Sequence, residues 1–146
     1  THDDVRLFFM GVAHPNPDVP EMALVSQTRE LASELGIKGK HVFFNEQWAA
    51  LDDRHNYLLD ADLGVSTHYN HVETTFSFRT RILDYLWAGL PIVSTEGDSF
   101  GDIIGRDGLG AAVPAENVEL LANALERYLY DEESIQAARQ AVAQTR

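Results

Sequence analysis

Short apolar runs alternate with amphipathic stretches along the chain, and this alternation predicts strands that alternate with helices. The run 6–11, RLFFMG, is typical of a buried strand, whereas residues 118–130 place apolar side chains at helical spacing. The predicted strands are residues 6–11, 41–44, 63–66, 91–95 and 110–113. The predicted helices are residues 21–35, 52–60 and 77–88, a short helix that ends at residue 104, and residues 118–130 and 133–145.

Residues 73–95, ETTFSFRTRILDYLWAGLPIVST, predict a loop, a helix and a buried strand in direct succession. We predict that Ser77 caps the helix, because its hydroxyl can accept a hydrogen bond from a free N–H group of the first turn. Gly89 suits the left-handed conformation that closes a helix, and Pro91 prevents its continuation. The spacing of the apolar residues predicts a wide buried face on this helix, made of Phe78, Ile82, Leu83, Leu86 and Trp87.

Strands separated by helices at short intervals predict βαβ crossovers, hence an α/β fold with a parallel sheet and helices on both faces. In such a sheet the ligand binds outside the carboxyl ends of the strands. The segments that follow these ends are residues 11–16, 45–47, 67–76 and 96–100. We therefore expect one edge of the sheet to collect most of the unusual polar residues.

The start of the predicted central helix is a candidate anion site. A helix N-terminus offers free N–H groups and a partial positive charge, and Arg79 adds a full charge to this one. We expect a phosphate-bearing ligand here, bound by the backbone from Phe78 to Thr80. Arg81 should face away from it, because residues two apart on a helix point in different directions. Glu73, in the preceding loop, is the nearest carboxylate.

Composition narrows the class of protein. A chain of 146 residues with 45% hydrophobic residues is expected to form a single soluble domain. The net charge of −12 argues against a nucleic-acid surface. No apolar run reaches the roughly 18 residues of a membrane span, no leader is recognisable, and the absence of cysteine excludes disulfides and thiolate metal sites. We expect a cytoplasmic protein, and the start at Thr1 rather than Met indicates a fragment.

A metal site is a weaker alternative. His68 and His71, with Glu73, could in principle ligate a metal through imidazole and carboxylate groups. No further ligand lies at suitable spacing, so histidines that line a polar pocket are favoured, and we expect no metal cofactor.

An ordered series of segments resembles the carboxyl-terminal, donor-binding domain of the family 4 (group 1) glycosyltransferases, which have the GT-B fold. Residues 83–95, LDYLWAGLPIVST, resemble the family's Glu-Ala-Met-Ala-x-Gly-x-Pro-Val-Val-x-Thr. Residues 7–11, 31–36, 41–44 and 58–66 resemble the preceding stretches, and residues 108–114 a later one. The match covers residues 5–133.

The resemblance implies a Rossmann-like domain, one half of a GT-B fold, that binds a nucleotide-diphosphate sugar. The family transfers the sugar to an acceptor, usually with retention at the anomeric carbon and without a metal. By this resemblance the acceptor-binding domain and the first strand and helix of the donor domain lie outside the chain, which would be inactive alone. The full-length protein would be cytoplasmic, with peripheral association at the inner face of the membrane as an open alternative.

The resemblance also implies roles for individual residues. Two glutamates hold the donor in the family, the first at the sugar and the second at the ribose. The second falls on Asp84, which could still accept ribose hydroxyl bonds, but the first falls on Phe76, which cannot accept any. Glu73 is therefore the candidate catalytic residue. The candidate donor-binding residues are Gly11, Asn45, Gln47, His68, Ser77, Phe78, Arg79, Thr80 and Asp84.

Two other classes remain as alternatives. A nucleotide-sugar epimerase of the GT-B type would share the donor site, and only a product assay separates it from a transferase. A non-enzymatic partner-binding module, receiver-like or flavodoxin-like, is less favoured. The third strand ends at Ser66 without a phosphoacceptor aspartate, and the loop of residues 14–20 is rich in proline.

Overall fold

The computed structural model describes residues 2–12, 16, 18–46 and 49–145, apart from the side chains of residues 51 and 52. The chain forms two compact units, Thr1–Arg54 and His55–Arg146. The elements in chain order are β1 (Leu7–Phe9), α1 (Ala23–Glu34), β2 (Val42–Phe44), α2 (Leu51–Leu59), β3 (Gly64–Ser66), α3 (Val72–Phe76), α4 (Thr80–Ala88), β4 (Ile92–Thr95), α5 (Ser99–Arg106), β5 (Gly110–Val113), α6 (Val118–Tyr130) and α7 (Glu132–Thr145).

The first unit is built on a parallel pair of strands. β1 and β2 pair in register from Leu7 opposite Val42 to Phe9 opposite Phe44. Aromatic side chains reinforce the pair, because the rings of Phe9 and Phe44 stack with centroids 5.1 Å apart. α1 connects the two strands, as a parallel crossover requires.

The second unit contains a three-stranded parallel sheet in the order β3-β4-β5. Gly64 lies opposite Ile92, and Ile92 lies opposite Gly110. β4 is buried along its whole length, as predicted for residues 91–95. The predicted parallel pairing is therefore confirmed in both units.

Neighbouring residues of β4 point to opposite faces of this sheet and enter separate hydrophobic clusters. Ile92 belongs to one cluster and Val93 to the other, as the two-residue period of a strand requires. The first cluster is made of Ile82, Ile92, Phe100, Ile104, Leu109 and Val142, from α4, α5 and α7 among others. The second is made of Val93, Val113, Ala124, Tyr128 and Ala138, with α6 and α7. Helices thus cover both faces of this sheet, as predicted.

The predicted start of the central helix was wrong by two residues, because the cap position predicted for Ser77 is occupied by Arg79. α4 begins at Thr80, and Ser77 instead ends a short helix, α3, that lies in the segment predicted as a loop. The Ser77 hydroxyl donates to the carbonyl oxygen of Glu73 at 2.7 Å and caps no N–H group of α4. The end of α4 agrees with the prediction, because Gly89 has a left-handed φ of 77°.

The predicted wide buried face of α4 was also wrong. Ile82 is buried, but Phe78, Leu83 and Trp87 are 70%, 44% and 51% exposed. Apolar spacing shows which side chains share a face of a helix, but only the packed structure shows how much of that face another element covers. The interpretation of Trp87 as a core residue is therefore corrected.

None of the helices among the described residues combines the length and the apolarity needed to cross a membrane.

Candidate functional site

The segment between β3 and α4 is fastened by hydroxyl hydrogen bonds. Thr74 is buried, and its hydroxyl donates to the carbonyl oxygen of Tyr69 at 2.8 Å. The Ser77 hydroxyl bonds the backbone of Glu73. The Glu73 side chain lies in the first turn of α3 and is exposed. The local structure therefore presents this carboxylate to solvent, where a ligand could reach it.

The N-terminus of α4 has no side-chain cap. Arg79 occupies the position before the first helical residue, Thr80, and its own side chain, which has no acceptor atom, makes no capping hydrogen bond. The N–H group of Ile82 already donates to the carbonyl oxygen of Arg79 at 3.0 Å. The first N–H groups of the helix, at Thr80 and Arg81, are those that a bound anion would satisfy.

Arg79 is held at this helix end by a buried carboxylate. Its Nε donates to Oδ2 of Asp98 at 2.5 Å, and the two side chains are 13% and 0% exposed, respectively. Oδ1 of Asp98 accepts from the backbone N–H of Gly101 at 2.8 Å and caps α5. Because the pair uses Nε of the guanidinium, Asp98 does not engage the two Nη groups.

His68 lies near the same oxygen of Asp98, Oδ2, that accepts the bond from Arg79. Its backbone N–H donates to the hydroxyl of Thr95 at 3.0 Å, and its Nδ1 lies 3.2 Å from the carbonyl oxygen of Tyr69. Its Nε2 lies 3.9 Å from Oδ2 of Asp98, which is too far for a hydrogen bond, and is buried without a partner in the described part of the chain. The side chain is 8% exposed. The His68 ring is therefore buried next to the Asp98 carboxylate without a hydrogen bond to it.

Asp84 lies four residues after Thr80 on α4, so the two share one face of the helix. The next residue, Tyr85, points in a different direction, and its hydroxyl donates to the carbonyl oxygen of Val65 at 3.0 Å. Burial raises the pKa of Tyr85, and Asp84 adds to the rise while Arg81 opposes it. α4 is thereby fixed against β3 through Tyr85.

An open cleft of about 720 Å³ lies beside the end of β4. Among the described residues that line it are Glu96, Asp102 and Glu116, and no lysine or arginine is found among them. Three carboxylates disfavour a phosphate group there. The charge of this cleft therefore disfavours a diphosphate, whereas Arg79 is a cation.

The sequence-predicted site residues fall into separate places. Arg79, Thr80 and Asp84 lie on α4 or at its start, and Ser77 and Phe78 lie in the connection before it. The ring of Phe78 is tilted against that of Phe100, with centroids 5.0 Å apart. His68 follows β3 and joins Arg79 at Asp98.

Gly11 and Asn45 lie in the first unit, shortly after β1 and β2. The N–H group of Asn45 donates to the carbonyl oxygen of Phe9 at 2.9 Å. Gln47 lies outside the described residues.

Asp98 is the residue that the sequence analysis missed. The sequence signal was an aspartate directly before a predicted helix and just past the end of a buried strand, which is typical of a cap. Its pairing with Arg79 joins residues 19 apart and has no local signature.

No group of three or more histidine or carboxylate side chains within the described ranges could hold a metal ion.

Comparisons with known proteins give one consistent family. The family model "Glycosyl transferases group 1" matches residues 1–131. No curated protein matches the chain in sequence.

Two solved structures resemble the fold. The C-terminal domain of a glycosyl transferase group 1 family protein (LpcC) from Francisella tularensis has a TM-score of 0.67 at 15% identity, over 87% of this chain and 61% of that one. Sucrose-phosphate synthase from Thermosynechococcus elongatus has a TM-score of 0.69 at 20% identity, over 88% of this chain and 32% of that one. The chain thus spans less than two thirds of either structure. At these identities the likeness concerns the fold, which agrees with the predicted Rossmann-like half of a GT-B enzyme.

The family match covers most of the chain and agrees with the resemblance of residues 83–95, so the chain belongs to the glycosyl transferases group 1 family.

Proposed function

We propose that this chain binds the nucleotide-diphosphate sugar donor of a glycosyltransferase, with the diphosphate at the N-terminus of α4. The observation that carries the proposal is the uncapped start of α4 beside a fixed arginine, in a protein of net charge −12. The same helix carries Asp84 one turn later, where the family resemblance expects the ribose.

The reaction in this proposal is transfer of the sugar from the nucleoside diphosphate to an acceptor hydroxyl, with retention at the anomeric carbon. The bond between the anomeric carbon and the diphosphate oxygen breaks, so negative charge grows on the leaving diphosphate. Hydrogen-bond donors fixed in advance at that position stabilise the transition state more than the ground state. The backbone N–H groups at the start of α4 and the Nη groups of Arg79 supply those donors, and no metal is required.

Glu73 is the proposed carboxylate at the sugar. Positive charge develops at the anomeric carbon as the leaving group departs, and a carboxylate stabilises it or orients the sugar hydroxyls. Glu73 is exposed, and its backbone is held by Ser77. The acceptor is proposed to bind mainly outside this chain. The protein is proposed to be cytoplasmic.

The test is titration of this chain with UDP, GDP and ADP, in which saturation-transfer NMR measures the binding of each nucleotide. A dissociation constant near 1 mM, about −4 kcal/mol, is within the range of this method. We expect one nucleoside diphosphate to bind, and we expect Arg79→Ala and Asp84→Asn each to weaken binding. Arg81→Ala is the matched control, since it removes the same charge from the same helix two residues away and should have little effect.

Arg79→Ala leaves Asp98 buried without its ion-pair partner, which costs about 3–5 kcal/mol of stability. Circular dichroism therefore accompanies each titration. A folded wild-type chain that binds none of the three nucleotides contradicts the proposal, and so does equal weakening by Arg79→Ala and Arg81→Ala.

A further inference from the structure

We propose that Asp98 is the positioning residue of the donor site, which holds Arg79 in the orientation that binds the diphosphate. The inference rests on the proposed donor-binding function and assigns a role to a residue outside the family's two donor carboxylates. Asp98 would touch no substrate and would act through Arg79.

Among the described residues, each oxygen of the Asp98 carboxylate accepts one hydrogen bond, and Nε2 of His68 lies 3.9 Å from Oδ2 without bonding it. Oδ1 accepts from the N–H group of Gly101 at 2.8 Å, and Oδ2 accepts from Nε of Arg79 at 2.5 Å. The carboxylate is 0% exposed, so solvent does not compete for either bond. The buried charge holds both donors, the N–H group of Gly101 and Nε of Arg79, in place. Losing either hydrogen bond would leave part of the charge uncompensated.

The backbone that carries Asp98 is itself fixed. The N–H group of Glu96 donates to the carbonyl oxygen of Val113 at 2.8 Å, which extends the β4–β5 ladder to the edge of the sheet. Gly97 then turns the chain with a φ of 109°, a conformation that favours glycine. Gly101 approaches the carbonyl oxygen of Thr95 so closely that an added Cβ would lie 3.1 Å from it. The sheet thus fixes the position of Asp98, and the bond from Arg79 to Asp98 in turn fixes the position of the guanidinium.

The consequence for Arg79 is preorganisation. A free arginine at a helix N-terminus samples many rotamers, and an anion that binds it must order the side chain first. The bond to Asp98 has already ordered it, and since the bond uses Nε, both Nη groups remain for phosphate oxygens.

The competing explanation is that Asp98 only caps α5 and stabilises the fold. Two variants separate the roles. Asp98→Asn and Asp98→Ser both keep an oxygen that can cap the helix, because asparagine and serine are good cap residues, but neither offers a charged acceptor to Nε of Arg79. A purely structural role would affect nucleoside and nucleoside diphosphate binding alike.

The experiment compares the affinity of this chain for the nucleoside diphosphate that binds and for the same nucleoside without phosphate. We expect Asp98→Asn and Asp98→Ser to lower the diphosphate affinity about tenfold and to leave the nucleoside affinity within about twofold of wild type. Asp102→Asn is the matched control, since it makes the same change on an exposed residue of the same helix, α5. In an Arg79→Ala background, Asp98→Asn should have no further effect on diphosphate binding.

A second readout does not depend on any ligand. The Nε–H signal of Arg79 in ¹⁵N NMR should be protected from exchange in wild type and in Asp102→Asn, and lost in both Asp98 variants.

The outcomes are distinguishable. If wild type binds a nucleoside diphosphate and folded Asp98 variants bind it equally well or more tightly, Asp98 is not a positioning residue, while the donor-binding proposal stands. Parallel losses of nucleoside and diphosphate affinity assign Asp98 a structural role and also overturn the inference. If folded wild type binds no nucleotide, the donor-binding proposal fails and the inference fails with it.

Discussion

Three glycines within six residues should respond to alanine in three different ways, and the differences follow from the structure. Gly105 lies within α5, where an added Cβ would meet the Cβ of Ala112 at an ordinary 3.9 Å. Gly108 has a φ of 69° in open space. Gly110 has a φ of 152° and opens β5, where an added Cβ would lie 1.9 Å from the carbonyl oxygen of Ile92.

The expected magnitudes follow from these geometries. Gly105→Ala should stabilise the chain by about 0.5–1 kcal/mol, because alanine loses less backbone entropy in a helix. Gly108→Ala should cost about 1–2 kcal/mol for a left-handed residue with a Cβ. Gly110→Ala combines backbone strain of about 1–3 kcal/mol with overpacking of about 1–3 kcal/mol, hence about 4 kcal/mol in the middle of the range.

Urea unfolding followed by circular dichroism measures all three. With a slope of about 2 kcal/mol per molar urea, Gly110→Ala should lower the midpoint by roughly 2 M, and Gly108→Ala by less than about 1 M. Gly105→Ala should raise it slightly. If Gly110→Ala and Gly108→Ala have the same midpoint, the close approach of β5 to Ile92 does not constrain this strand.

Two further predictions concern titrating groups. Tyr85→Phe should cost about 1 kcal/mol through the lost bond to Val65. Burial raises the pKa of Tyr85 in the folded state, so the neutral phenol contributes stability that is complete below the ordinary pKa of about 10. That stability is lost as pH rises through the pKa of the folded state. Urea unfolding at increasing pH should therefore show a smaller loss of stability at alkaline pH in the variant than in wild type. The Ser134 hydroxyl, the largest cause, lowers the pKa of Asp131, so this carboxylate adds stability above its ordinary pKa that is lost as pH falls through the folded value. In ¹³C NMR titrations, Ser134→Ala should raise the pKa of Asp131. The pKa of Asp107, which a hydrogen bond from Arg106 lowers, should not change. An unchanged pKa at Asp131 would contradict the role given to the Ser134 hydroxyl.

The sequence predicted best those features that neighbouring residues decide. The end of α4 required only Gly89 and Pro91, and β4 required only a short apolar run after them. The start of α4 failed because Ser77 is an equally good terminus for a preceding short helix, and local spacing does not choose between the two. The charge at a predicted helix start identified Arg79 as a candidate and the family resemblance identified Asp84, but neither indicated what holds Arg79.

The missing information concerns contacts between distant residues. Asp98 reaches Arg79 across 19 positions, and His68 reaches the hydroxyl of Thr95 across 27. No periodicity or spacing rule encodes such pairs, because each depends on how β3, β4 and α4 pack. The sequence therefore indicated the edge of the sheet where we propose the site, whereas the pairing of Arg79 with Asp98 required the three-dimensional structure.

The end of β4 links the stability of the second unit to the proposed donor site. Thr95 holds the backbone of His68, and the N–H group of Glu96 continues the ladder to β5 before the chain reaches Asp98. A change that shifts β5 against β4 should therefore move Asp98, and with it Arg79. Gly110→Ala makes that change without touching any charged residue. In the absence of urea, where the variant is folded, we expect Gly110→Ala to lower the affinity for the nucleoside diphosphate more than the affinity for the nucleoside. Asp98→Asn is expected to have the same effect. Unaltered selectivity in a folded Gly110→Ala chain would show that the position of Asp98 does not depend on the register of this sheet.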